Sequence, residues 1–243
     1  MAVCRCANNG SANSCPLRLA ETDSWLWNNK QRCTEVDLYG EDLRTVLFHP
    51  GWSNGSAAVR GTKVLNGTVS YWEIEVSHRV FGTSLCFGVG TQEAKLYETY
   101  FTNIVGQDQH SWGFSHKGLA WHNNHCRQFC EPFPENVATV IGVLFDGVRG
   151  TLQFFKDGVD LGVAFTGLDK IRKPVYPMIG STAARTEMTL GKRLQRWGSL
   201  WQRCFAVIIR SVETVEEVES LPLPCWLKQN IRNEVALFRA GRY

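Results

Sequence analysis

The sequence predicts a mainly β protein: an antiparallel two-sheet sandwich over about residues 23–191, followed by a small helical module. Three observations carry this. Short apolar runs with period-2 alternation recur from Trp25 to Met188, separated by Gly, Asn and Asp turns. The pair Asp157-Gly158 sits between two such runs, a strong local signal for a tight hairpin. After Leu190 the apolar period lengthens from two to four, as Leu200, Cys204 and Ile208 recur on one helical face.

The elements follow in order. Residues 1–22 lack periodicity and read as a flexible leader. Residues 71–76, Tyr-Trp-Glu-Ile-Glu-Val, alternate large apolar side chains with carboxylates, a strand with one face buried. A second run, 85–89, ends in glycines. Residues 137–145 are apolar on both faces, which predicts a central strand, and Asp146-Gly147 begins the turn after it. Residues 151–155 and 159–165 flank the hairpin. The runs 174–179 and 186–190 complete the set, with Pro174 and Pro177 predicting an edge or strand-start position for the first. Helices are expected over 199–210, in a short acidic turn after Thr214, and again over 226–235 beyond the break at Leu221-Pro222-Leu223-Pro224. Some forty residues bury too little surface to stand alone, so this module leans on the sandwich or on another protein.

Composition bounds the function. The 243 residues are 44% hydrophobic and 20% charged, which suits a folded chain. The formal charge of +3 is too mild for a nucleic-acid grip. From 192 onward nine Lys/Arg face five acids, net +4, and the rest of the chain stands at −1. Within that stretch Lys192 to Trp197 interleaves basic and aromatic residues and reads as a solvated linker. No apolar run reaches the ~18–20 residues of a membrane helix, and the start lacks the apolar stretch of a secretory signal, so a soluble chain of cytoplasm or nucleus is expected. Nine cysteines, odd in number and mostly isolated, fit reduced thiols.

A search for catalytic chemistry finds none. There is no phosphate loop, nucleophile elbow or His-Glu-x-x-His. The stretch His122-Asn123-Asn124-His125-Cys126, with Cys130 beyond it, carries ligand-type atoms. Its spacing matches no common structural zinc pattern, and a polar loop accounts for it. Asp146 and Asp157 occupy turns, where backbone hydrogen bonding explains them. No cofactor, metal or catalytic residue is expected.

Two sets of motifs are more specific. Tyr71 to Val76, Phe87-Gly-Val-Gly, Ser111-Trp-Gly-Phe and the continuous stretch Leu144 to Phe165 together resemble a SPRY domain over 23–191. Ser199-Leu200-x3-Cys204-x3-Ile208 resembles the elongin-binding box of a SOCS box, and Val218-x-x-Leu221-Pro222-Leu223-Pro224 its cullin-5 box. In this order they are similar to the SPRY domain-containing SOCS box proteins, and residues 181–188 look most like a divergent third member of that family. The resemblance implies a SPRY sandwich, then a three-helix SOCS box over 197–234 with boxes at 199–208 and 218–224, and a tail over 235–243.

What the resemblance implies about function is a non-catalytic substrate receptor of a ubiquitin ligase. Leu200, Cys204 and Ile208 would bind elongin B/C. Leu221, Pro222, Leu223 and Pro224 would bind cullin-5, which brings its RING partner. A non-degradative adaptor is the alternative. Substrates would carry a short, Asn-containing motif bound by Thr83, Phe101, Ile104, Thr182 and Ala183. Here the sequence departs from the family. His49-Pro50-Gly51-Trp52 replaces a loop that bears arginine, Phe101 replaces a tyrosine, and Thr182-Ala183-Ala184 replaces a Val-Trp-Gly segment. Altered specificity is therefore expected, because a buried amide left unpaired penalises the old ligand by about 1–3 kcal/mol.

Overall fold

The computed structural model describes residues 20–40, 42–197, 204, 208, 211–212, 215–229 and 231–232. Sixteen strands build two antiparallel sheets. In chain order they are β1 (Glu21–Thr22), β2 (Trp27–Arg32), β3 (Val36–Tyr39), β4 (Thr45–Phe48), β5 (Ser56–Gly61), β6 (Thr68–Val76), β7 (Leu85–Thr91) and β8 (Tyr97–Glu98). Then come β9 (Ser111–Ser115), β10 (Leu119–His122), β11 (His125–Gln128), β12 (Thr139–Asp146), β13 (Thr151–Lys156), β14 (Val159–Phe165), β15 (Val175–Ser181) and β16 (Thr186–Trp197). One sheet runs β14-β13-β12-β6-β16-β4-β3, with β1 on β16. The other runs β11-β10-β9-β7-β15-β5-β2, with β8 on β5.

The alternation in β6 does what its sequence predicts. Trp72, Ile74 and Val76 point inward and are buried, while Glu75 is exposed on the other face. β12 is hydrogen-bonded between β6 and β13, the central position that its apolar run predicts, and Ile141 to Asp146 are buried. Between the sheets the core is aromatic at its centre. Trp25 meets Trp27 and Trp72 edge-on, and Phe114 touches Phe129, Phe133 and Phe154 at centroid distances of 5.5, 5.6 and 5.0 Å.

The predicted turns form for the expected reasons. Asp157 and Gly158 both take positive φ, +49° and +79°, as a two-residue hairpin loop requires. The Asp146 carboxylate accepts from the backbone N–H of Val148 and of Arg149, closing the β12–β13 turn.

Three expectations change. Of the two positions expected for the run 174–179, the edge is excluded, because β15 lies between β7 and β5, while the strand start holds, since Pro174 directly precedes Val175. Pro177 is tolerated there since the β15–β5 ladder begins only at Met178. The final strand runs on to Trp197 and takes in the supposed linker. A register shift between Leu190 and Arg193 re-aims it, and buried Arg193 donates to the Trp25 carbonyl at 2.5 Å. Glu21 and Thr22, read as leader, pair with Gln195 and Leu194.

Beyond β16 the described residues are helical at 204, 208 and 211, in α1 (Val215–Ser220), and at 225–229 and 231–232. Val212, Val218 and Ile231 form a small apolar cluster of their own, with Ile208, Leu221, Leu223 and Leu227 packed on it. Residues 1–19 of the leader, Leu200 and the tail over 235–243 lie outside the described residues.

Two stability predictions follow from the core. Phe114→Ala empties the aromatic centre, and urea unfolding is expected to show a loss of about 3–5 kcal/mol. His116 is buried with Nδ1 accepting from the Leu85 N–H at 3.0 Å, and burial, aided by the charge of Lys117, pulls its pKa from 6.5 down to about 4. The unfolded chain therefore takes up a proton that the folded chain refuses. Stability is complete above pH ~6.5 and falls as pH drops toward ~4, by up to about 3 kcal/mol. Urea midpoints measured across that window should show the slope, and His116→Asn, which keeps an acceptor for Leu85, should flatten it.

Candidate functional site

Six strand ends meet at one end of the sandwich. Thr186, the first residue of β16, pairs with Phe48, the last of β4, and Met188 with Val76, the last of β6. In the facing sheet Ser181, the last residue of β15, pairs with Leu85, the first of β7, and with Ala57 near the start of β5. Loops from both sheets therefore emerge together: 49–55, 77–84 and 182–185, joined by the connection between β7 and β9.

Side chains stitch these loops to one another. The Ser53 hydroxyl donates to the Thr182 carbonyl at 2.6 Å. Thr182 Oγ1 accepts from the Ser84 N–H at 2.9 Å and donates to the Ser84 carbonyl at 3.1 Å. Ser84 in turn hydrogen-bonds Asn103. Ser56 Oγ donates to the Tyr100 carbonyl and accepts from the Thr102 N–H, both at 2.8 Å. His49 is buried with φ +46°, and its Nε2–H donates to the Ser181 carbonyl at 3.1 Å, while Nδ1 faces Glu35 at 3.4 Å. Arg185, at φ +58°, donates its backbone N–H to Phe48 and His49.

The long connection after β7 is held as firmly. Ala94, Ile104 and Val105 pack with Ala58, Cys86 and Met178 into a second small core. Buried Arg60 reaches into it and donates to the Ala94 carbonyl at 2.7 Å. Gly55 passes so close to this connection that a Cβ would meet the Glu98 carbonyl oxygen at 2.0 Å, so only glycine fits.

On this frame the five expected substrate residues divide. Thr83 and Phe101 are exposed, Phe101 at 52%. Thr182, Ala183 and Ile104 are buried and support the loops from behind. The sequence reading passed over Trp52, which is 88% exposed on a loop anchored on both sides by His49 and Ser53. Tyr100, also exposed, stands beside Phe101. The available signal was position: a Trp between Pro-Gly and Ser-Asn-Gly belongs to a loop and has no core to enter. Two guanidiniums flank the same turn, Arg79 donating to the Ala184 carbonyl at 3.2 Å and Arg185 to the Pro50 carbonyl at 3.4 Å. Trp52, Tyr100 and Phe101 are thus exposed aromatic side chains on stitched loops, with the Arg79 and Arg185 guanidiniums bound to the backbone of the same end.

Cys86 is buried, and burial pushes its thiol up to about 11, so it is no nucleophile. Among the described residues no three His, Cys, Asp or Glu side chains gather as a metal cage. In the C-terminal segment Cys204 is exposed, Ile208 is half-buried on the local cluster, Leu221 and Leu223 pack there too, and Pro222 and Pro224 are exposed. The Leu223 N–H donates back to the Leu221 carbonyl at 2.8 Å, a tight turn around Pro222.

Comparison with known proteins agrees with the two-sheet fold. The SPRY domain family profile matches residues 69–193. SPRY domain-containing SOCS box protein 3 of Xenopus laevis is 35% identical over 214 residues, covering 87% of this chain and 58% of the relative. SPRY domain-containing SOCS box protein 1 of Homo sapiens is 29% identical over 220 residues, 83% of this chain and 78% of the relative. The chain thus spans less than two thirds of the first of these. Among solved structures, the PSpry domain of TRIM65 superposes with a TM-score of 0.54 at 18% identity, covering 70% of this chain and 90% of that one. The human HERC1 SPRY domain gives 0.53 at 13%, covering 68% and 97%. These two speak for the fold.

The support and display roles separate by mutation. Thr182→Val removes the hydroxyl that satisfies Ser84 and is expected to cost about 1–3 kcal/mol in urea unfolding. Trp52→Ala, at an exposed position, is expected to stay within about 0.5 kcal/mol of the unaltered chain.

Proposed function

Because this chain belongs to the SPRY domain family, among the SPRY domain-containing SOCS box proteins, we propose that it is the substrate-recognition subunit of an elongin B/C–cullin-5–RING ubiquitin ligase. It contributes two binding surfaces and no bond-making group. Catalysis comes from its partners, and the chain supplies proximity.

The observation that carries this reading is the separation of two surfaces on two cores. The stitched loops, with Trp52, Tyr100 and Phe101 outward, form the substrate surface. The C-terminal module keeps its own apolar cluster and leaves Cys204, Pro222, Pro224 and Trp226 exposed. An exposed small residue at a helical position suits a helix lying in a partner's groove, with Leu200 as its anchor and a three-helix SOCS box around it. Ile208 has a share in the module's own packing, so its role there is mixed. The prolines hold 221–224 in a set shape before docking, which lowers the entropy lost on binding cullin-5. On the substrate side the Arg-bearing loop of the family is replaced by Trp52, which favours a ligand offering apolar contact beside any Asn-containing motif.

Purified full-length chain, mixed with elongin B/C and then cullin-5, tests the reading. The unaltered chain is expected to retain both. Leu200→Ala/Cys204→Ala is expected to lose both, and Pro222→Ala/Pro224→Ala to keep elongin while weakening cullin-5. Retention of elongin by the Leu200/Cys204 variant overturns the assignment, and elongin binding without cullin-5 points to the non-degradative adaptor.

A further inference from the structure

We propose that the β10–β11 hairpin is a two-histidine chelate for a divalent d-block cation such as Zn²⁺. The sequence brings His122, His125 and Cys126 together only as neighbours in a polar stretch. The register sorts them. His122 pairs directly with His125, and Trp121 with Cys126. Directly opposed residues share a face of the sheet and adjacent ones alternate, so His122 and His125 are carried on one face of the hairpin and Cys126 on the other. Asn123 and Asn124, at φ +50° and +60°, close the hairpin in a two-residue loop that fixes this register. Cys130 is turned aside, its thiol donating to the Glu131 carbonyl at 3.2 Å.

The hydrogen bonds then set which nitrogens are available. His122 Nδ1 lies 2.8 Å from the Ser111 carbonyl oxygen, and His125 Nδ1 lies 2.7 Å from that of Asn123. A carbonyl only accepts, so each Nδ1 carries the proton and each neutral ring presents its Nε2 lone pair. Backbone carbonyls holding Nδ1–H are the outer partners that orient metal-binding histidines. His122 is further locked by stacking on Trp112, with ring centroids 4.6 Å apart and planes at 13°. Among the described residues neither Nε2 has a hydrogen-bond partner. Two imidazoles without a carboxylate select Zn²⁺, Ni²⁺ or Cu²⁺ over Mg²⁺ and Ca²⁺, and leave coordination positions for water or for a donor from another molecule.

The test is a titration of the full-length, chelator-treated, ¹⁵N-labelled chain with ZnCl₂ just above neutral pH, following the histidine ring nitrogens, with MgCl₂ as the comparison. The expected result is that Nε2 of His122 and of His125 shift together and saturate near one equivalent of Zn²⁺, while His49, His78, His110 and His116 stay in place and Mg²⁺ moves none. His125→Asn, at an exposed position, is expected to weaken the response of His122 about tenfold or more, with the amide spectrum otherwise unchanged. The proposal is overturned if neither ring responds, if His122 responds equally without His125, or if His78 or His110 responds over the same range, which is general imidazole affinity. Elongin and cullin binding are not read in this experiment, so its failure and theirs are independent.

Discussion

The chain crosses from one sheet to the other through four residues, 182–185, and the loops at that end of the sandwich are organised around the crossing. Ser181 is the last residue paired in one sheet and Thr186 the first paired in the other. So short a crossing leaves little freedom, and the backbone meets the demand with Arg185 in the left-handed region. Its polar groups need partners, which come from neighbouring loops: the Ser53 hydroxyl donates to the Thr182 carbonyl, the Ser84 N–H donates to the Thr182 hydroxyl, and the His49 carbonyl accepts from the Arg185 N–H. Satisfying the crossing therefore fixes the loops as well.

That arrangement explains how a surface of loops holds large apolar side chains outward. Trp52 and Phe101 leave water only when something covers them, and a mobile loop would fold them back onto the sandwich. Here each loop is tied close to its aromatic residue, Trp52 beside Ser53 and Phe101 between the two backbone groups bound by Ser56. The second small core beneath the β7–β9 connection serves the same end. It buries Ile104 and Val105 so that Tyr100 and Phe101 remain outside. Pre-organisation of this kind reduces the ordering cost when a ligand docks.

The C-terminal module follows different physics. Among the described residues its apolar cluster is Val212, Val218 and Ile231, with Ile208, Leu221, Leu223 and Leu227 half-buried against it.

Much of this was legible in the residues. Period-2 alternation in 71–76, the doubly apolar run 137–145 and Asp157-Gly158 specify strands and a hairpin locally, because side-chain direction and turn φ depend on near neighbours. The four-residue spacing of Cys204 and Ile208 marks a helix for the same reason, and both are helical. The position of β15 was misjudged because Pro177 signals an edge only if a ladder bond is needed at that residue, and the ladder's starting point is set by a strand far away in sequence. Lys192 to Trp197 looked solvated since charge suggests exposure, yet Arg193 finds the Trp25 carbonyl across the fold. Local patterns thus determined which residues form strands, turns and helices, and the family to which they belong. Tertiary structure alone decided which loops meet, that Thr182, Ala183 and Ile104 support while Trp52 and Phe101 display, and that His122 stands opposite His125. The physical reason is that burial, long-range hydrogen bonds and strand register are pairwise properties of distant residues, and no short window of sequence contains both members of the pair.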